Sequence, residues 1–151
     1  MQSAADPGTR RAGEFSLQLL SRCSALGRAF FARSRAEISR TEAGVLVALE
    51  TRAHRITELA AAEGITQPAA TQLVNRLGER GWVERDSDPY DGRVVLVRIT
   101  PAGRNELERL RAKFRDFLQE GLDELDESDL ETLASAAAIL DRLTARHHEL
   151  P

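Results

Sequence analysis

Residues 56–101 read Ile56-Thr57-Glu58-Leu59-Ala60-Ala61-Ala62-Glu63-Gly64-Ile65-Thr66-Gln67-Pro68-Ala69-Ala70-Thr71-Gln72-Leu73-Val74-Asn75-Arg76-Leu77-Gly78-Glu79-Arg80-Gly81-Trp82-Val83-Glu84-Arg85-Asp86-Ser87-Asp88-Pro89-Tyr90-Asp91-Gly92-Arg93-Val94-Val95-Leu96-Val97-Arg98-Ile99-Thr100-Pro101. The hydrophobic period changes once in this stretch, from 3.6 before Gly81 to 2 after it. Thr57–Glu63 predicts a short helix that stops at Gly64. Thr66 stands where an N-cap belongs, and Pro68 fits the first turn, where its missing amide would be unpaired anyway. The helix that follows runs to about Arg80. It buries Ala70, Leu73, Val74 and Leu77 and exposes Gln67, Thr71, Gln72, Asn75 and Arg76. Two short helices joined by a few residues around a glycine are the helix-turn-helix pattern. Trp82–Arg85 and Val94–Ile99 then read as strands, and Asp86–Gly92 between them is rich in turn formers, so a hairpin with an exposed tip is expected.

Outward from this centre the chain is helical. Phe15, Leu19, Leu20, Cys23, Leu26, Phe30 and Phe31 step by three and four, one face of a helix of about six turns starting at Glu14. Ser39-Arg40-Thr41-Glu42 has capping-box spacing, and Val45, Leu46 and Leu49 form the buried side of the helix it opens. Thr100-Pro101 starts a further helix striped by Leu107, Leu110, Phe114, Phe117, Leu118, Leu122 and Leu125. Ser128-Asp129-Leu130-Glu131 has the same box spacing and opens a last helix with Leu130, Leu133, Ala137, Leu140 and Leu143. Residues 1–13, with Pro7, Gly8 and Gly13, read as a loose tail. The fold class expected is mainly α with a small β-hairpin wing, a winged helix-turn-helix flanked by long N- and C-terminal helices.

The 151 residues suit one domain, 42% of them hydrophobic and 30% charged, with 5% aromatic. No apolar run approaches the roughly twenty residues of a membrane span. The first seven residues carry neither a basic nor an apolar signal region, so a cytoplasmic protein without membrane contact is expected. The single Cys makes no internal disulfide, and His54, His147 and His148 are too dispersed for a metal site. Neither a nucleophile–base order nor a phosphate-cradling glycine loop can be assembled, so neither an enzyme nor a cofactor is expected. The net charge of −3 looks wrong for a nucleic-acid binder until it is divided. Residues 1–104 hold 15 Arg against 12 acids, while residues 105–151 hold 12 acids against six basic residues. Twenty of the 21 basic residues are Arg, the side chain suited to phosphate and groove contacts, although a GC-rich genome gives the same bias.

The pieces Ile56–Ala60, Gly64–Thr66, Val74–Leu77, Gly81–Arg85, Asp88-Pro89-Tyr90-Asp91-Gly92-Arg93 and Val97–Gly103 stand in an order that resembles the multiple-antibiotic-resistance regulator (MarR) family, over roughly residues 14–148. The resemblance implies a single domain, with a winged helix-turn-helix at 41–103 and dimerisation helices at 14–38 and 105–148. It implies a repressor that binds double-stranded DNA as a homodimer at a pseudo-palindromic operator, with a small aromatic or phenolic effector among its expected partners.

The candidate DNA-binding residues are Thr66, Gln67, Ala69, Ala70, Thr71, Gln72, Asn75 and Arg76 on the recognition helix, where short or polar side chains approach base edges. Arg85, Asp91, Arg93 and Arg98 join them from the wing. The resemblance makes Arg93 a minor-groove finger aimed by Asp91, and a narrow minor groove attracts a guanidinium. Arg28, Arg52 and His54 are candidates for holding an effector carboxylate, or are ordinary surface residues. Cys23 lies on the apolar stripe, where a Cys is usually a small core hydrophobe; the related peroxide sensors carry a reactive Cys near this place, aided by tyrosines. Three functions remain open: a DNA-binding repressor, a thiol-based redox regulator using Cys23, and a winged-helix module that binds protein only.

Overall fold

The computed structural model describes residues 7–87 and 95–148. Its elements are α1 (Pro7–Arg33), α2 (Arg40–Thr51), β1 (His54–Arg55), α3 (Ile56–Glu63), α4 (Gln67–Glu79), β2 (Val83–Ser87), β3 (Val95–Ile99), α5 (Pro101–Leu122) and α6 (Glu127–His148). Two compact units are present, divided after Phe114 within α5. The order of elements agrees with the expected mainly α fold and hairpin, with four corrections.

First, Pro7–Gly13, expected as loose tail, are the opening turns of α1. Proline fits a first helical turn, and the glycines lower helix propensity without forbidding it. Second, the sheet has three strands, in the order β1-β3-β2, all antiparallel. His54 pairs with Val97 and Arg55 with Leu96. A two-residue strand has no alternation to read, and its partner lies more than forty residues away. Third, α6 starts at Glu127, two residues earlier than a cap at Ser128 would place it. Asp126 is its cap: Oδ1 accepts from the Asp129 amide at 2.9 Å. Asp caps a helix as well as Ser does. Fourth, Cys23 is exposed on α1 and not packed in the core.

The first unit is built on local signals that the chain spells out. Ser39 and Glu42 form a reciprocal capping box at α2, with Ser39 N–H donating to Glu42 Oε2 at 2.8 Å and Glu42 N–H to Ser39 Oγ at 3.3 Å. Gly64 closes α3 in the left-handed region at φ 64°. Its amide and that of Ile65 donate to Ala61 and Ala60, satisfying carbonyls the helix end leaves open. Thr66 Oγ1 accepts from Ala69 N–H at 3.4 Å and opens α4. Leu46, Leu59, Leu77, Leu107, Val45, Val74 and Val97 are fully buried and tie α2, α3, α4, β3 and α5 into one core. Phe30 meets Phe31 and Phe114 edge to face, each with ring centres 5.0 Å apart.

Outside that core two helices keep apolar side chains uncovered. Phe15, Leu17, Leu20 and Leu26 of α1 are exposed, Phe15 by 64% and Leu20 by 65%. In the second unit Leu130, Leu133, Ile139 and Leu143 of α6 are exposed, Leu133 by 48%. Among the described residues no helix is long and apolar enough to cross a membrane.

Candidate nucleic-acid interface

Helix α4 is amphipathic because Ala70, Leu73, Val74 and Leu77 recur at three and four residues and pack inward. Thr66, Gln67, Ala69, Gln72, Asn75 and Arg76 consequently stand exposed on the opposite side. Thr71 is half-buried, and its hydroxyl donates back to the Gln67 carbonyl at 3.0 Å. Ala70, placed among the candidate contacts, is corrected: it is 1% exposed and belongs to the core, as its place on the inward stripe requires.

Two arginines join this face to its surroundings, and a third is paired within the hairpin. Arg76 Nε lies 3.7 Å from Glu42 Oε1 on α2. Arg85 of β2 donates through Nη2 to Asn75 Oδ1 at 2.6 Å. Arg98 of β3 lies 3.5 Å from Asp86 of β2, beside the register pair Glu84–Arg98. The structure therefore brings Asn75, Arg76 and Arg85 together at the junction of the helix and the hairpin. Asp91 and Arg93 lie outside the described residues.

Two residues missed from the sequence complete this junction. Arg80 donates to the Glu37 carbonyl at 3.0 Å and lies 4.8 Å over the Trp82 ring. Its signal was its spacing of four from Arg76, which puts both on one side of α4. Glu42 was legible only as half of a capping box. It is 5% exposed and faces both arginines. Burial pushes its carboxyl up, but the bonds from Ser39 and the Arg80 and Arg76 charges outweigh burial and hold it below the ordinary glutamate value.

The proposed effector residues are only partly assembled. Arg52 donates to both oxygens of Glu58, at 3.2 and 3.4 Å, and His54 Nδ1 lies 3.6 Å from the same carboxylate. The Arg55 amide, followed by the Arg52 guanidinium, lowers the Glu58 pKa. Burial, followed by the Arg52 charge, lowers that of His54. Arg28 is exposed on α1. A separate cavity of about 680 Å³, not foreseen from the sequence, is lined by Phe31, Arg40, Thr41, Gly44, Val47 and Glu63 among others. Burial raises the Glu63 carboxyl there, with Arg40 opposing. Among the described residues no cluster of His, Cys, Asp and Glu is arranged to hold a metal ion.

A helix-turn-helix with an exposed second helix, backed by a three-stranded sheet whose outer hairpin flanks it, defines a winged-helix protein. Comparison with known proteins agrees. The MarR family model matches residues 36–94. The uncharacterized HTH-type transcriptional regulator YdgG of Bacillus subtilis is 30% identical over 106 residues, covering 68% of this chain and 70% of that one. The uncharacterized HTH-type transcriptional regulator Mb0904 of Mycobacterium bovis is 33% identical over 82 residues, 54% of this chain and 57% of that relative's length. The crystal structure of apo MarR from Escherichia coli superposes with a TM-score of 0.66 at 24% identity, over 85% of this chain and 95% of that one. The chain belongs to the MarR family, whose members are transcription regulators and not enzymes.

Proposed function

We propose that this chain is a cytoplasmic transcription repressor that binds a pseudo-palindromic DNA operator as a homodimer. The observation that carries the reading is the outward face of α4. It presents Gln67, Gln72 and Asn75 beside Arg76 and Arg85, amides suited to base edges next to guanidiniums suited to phosphates. The exposed leucines of α1 and of α6 supply surface for a second copy, and a two-fold axis presents two recognition helices to two half-sites. Effector control fits the reading if a ligand carboxylate displaces Glu58 from Arg52 and His54; an aromatic acid should then raise the melting temperature, and Arg52→Ala should abolish that rise.

The test is fluorescence anisotropy on operator duplexes selected from a random pool, repeated between about 50 and 200 mM salt. Log affinity should fall with log salt, by about 0.9 for each phosphate neutralised. Affinity that is flat with salt refutes DNA binding and leaves the protein-binding module. The exposure of Cys23 favours one second reading, a thiol-based regulator. Under that reading peroxide releases DNA from the wild type and not from Cys23→Ser; equal release, or none, removes it.

A further inference from the structure

An asparagine on a recognition helix is ordinarily suited to adenine, because its Oδ1 accepts from N6 while its Nδ2 donates to N7. Asn75 is not free to do this. Its Oδ1 accepts from Arg85 Nη2 at 2.6 Å, a short charge-assisted bond from the strand next to the helix. The oxygen has a second lone pair, but the guanidinium that occupies the first stands where the N6 amino group of adenine would bring its own positive hydrogens. What the pair still offers is donors: the two hydrogens on Asn75 Nδ2 and the remaining N–H groups of Arg85. Arg76 and Arg98 are each turned to a carboxylate, Glu42 and Asp86. Arg85 is instead turned to a neutral amide, which leaves its charge uncompensated by that partner. Both side chains are exposed, so the donor edge faces outward.

We infer that Asn75 and Arg85 act as one donor-only unit that favours guanine over adenine at the base it faces. Guanine presents two adjacent acceptors, O6 and N7, in the major groove, whereas adenine sets an amino group beside N7. Arg85 is thus a specificity-determining residue that acts partly through Asn75. The inference rests on the DNA-binding reading above and adds to it which base edge this part of α4 selects. Adenine reading, in this scheme, falls to Gln67 and Gln72, whose amides are exposed on the same helix.

The test selects duplexes from a random pool with the wild type, Asn75→Ala and Arg85→Met, and sequences the bound fraction. Asn75→Ala locates the position, as the one in each half-site whose preference it erases. The wild type should select guanine there. Arg85→Met, which keeps a side chain of similar reach without donors, should move the guanine-to-adenine ratio at that position towards adenine by on the order of tenfold. Its melting temperature should be unchanged, since Arg85 is exposed. Adenine selected by the wild type, a uniform loss of affinity in Arg85→Met with preferences intact, or an Asn75→Ala variant that alters no position each overturns the assignment while leaving DNA binding in place. A wild type that selects no sequence at all overturns sequence-specific binding, and this assignment with it.

Discussion

Gly103→Ala should destabilise the protein, although glycine inside a helix ordinarily costs about 1 kcal/mol relative to alanine. Gly103 lies buried in the first turn of α5, which docks against the start of β2. A Cβ there would be driven into the Trp82 carbonyl oxygen and would stand 2.9 Å from Ile99 Cγ1. The carbonyl cannot retreat cheaply: it accepts from Thr100 N–H at 3.0 Å, while Thr100 Oγ1 donates to the Gly81 carbonyl at 2.6 Å. Thr100 Oγ1 also accepts from the Gly103 amide at 3.1 Å, so a shift of the helix start disturbs all three bonds. Overpacking against fixed backbone costs about 1–3 kcal/mol or more, and the clash is with backbone, so the upper part of that range applies. After the gain in helix propensity the net loss is about 1–2 kcal/mol, a fall of roughly 2–8 °C in melting temperature for a chain of this size. Gly121, in the last turn of the same helix, has open space around its would-be Cβ. Gly121→Ala should therefore raise the melting temperature by a few degrees at most. Calorimetry of both variants at one protein concentration makes the comparison, since self-association shifts the transition. A Gly103→Ala protein as stable as Gly121→Ala would refute the docking of α5 on Trp82.

Glu42→Gln should cost about 1–2 kcal/mol near neutral pH, the difference between a charge-assisted and a neutral hydrogen bond at a buried site. The folded protein holds this carboxyl below its ordinary value of 4.5, so the contribution is present above that value and disappears as pH falls through the folded pKa. Denaturant melts at pH 7 and at about pH 3 should show the wild-type advantage shrinking; a pH-independent gap contradicts the ionic role. Leu130→Glu with Leu133→Glu should give a monomer at micromolar concentration by equilibrium sedimentation, and an unchanged dimer removes α6 from the interface. In the wing, Arg93→Ala should weaken DNA binding by about 1–3 kcal/mol. Asp91→Ala should also weaken it if the aspartate aims the arginine, whereas simple charge repulsion predicts tighter binding, so the sign of one titration decides between the two.

Signals confined to a few neighbouring residues were legible in the chain itself. The Ser39–Glu42 box, the Thr66 cap, the Gly64 stop and the inward stripe of α4 each depend on contacts within one or two turns. What escaped depends on partners distant in sequence or on competition between neighbours. Strand β1 exists only because β3 pairs with it, and Ser128 lost its capping role to Asp126, two residues earlier. Cys23 keeps the apolar spacing of its helix yet finds no cover within the core, because the stripe of α1 is longer than the winged domain beside Phe30 needs. Ala70 shows the opposite error, a small residue named as a base contact although its spacing from Leu73 and Leu77 had already put it on the buried stripe.

The same distinction governs what a recognition helix can say about DNA. Which side chains face outward follows from the period of α4 and is readable from sequence. Which hydrogen-bonding groups those side chains offer is not, because a side chain with both a donor and an acceptor presents whatever its neighbours leave over. Arg85 is ten residues from Asn75 and on a different element, yet it takes the amide oxygen on which adenine recognition depends. Glu42 lies on another helix again, yet it sets the surroundings of Arg76. Thr71, half-buried, returns its hydroxyl hydrogen to its own helix, and so offers any ligand only an acceptor. Under the proposed DNA-binding reading, base preference is therefore a property of the helix together with β2 and α2, and an exchange of α4 residues alone between two such proteins should fail to carry specificity with it.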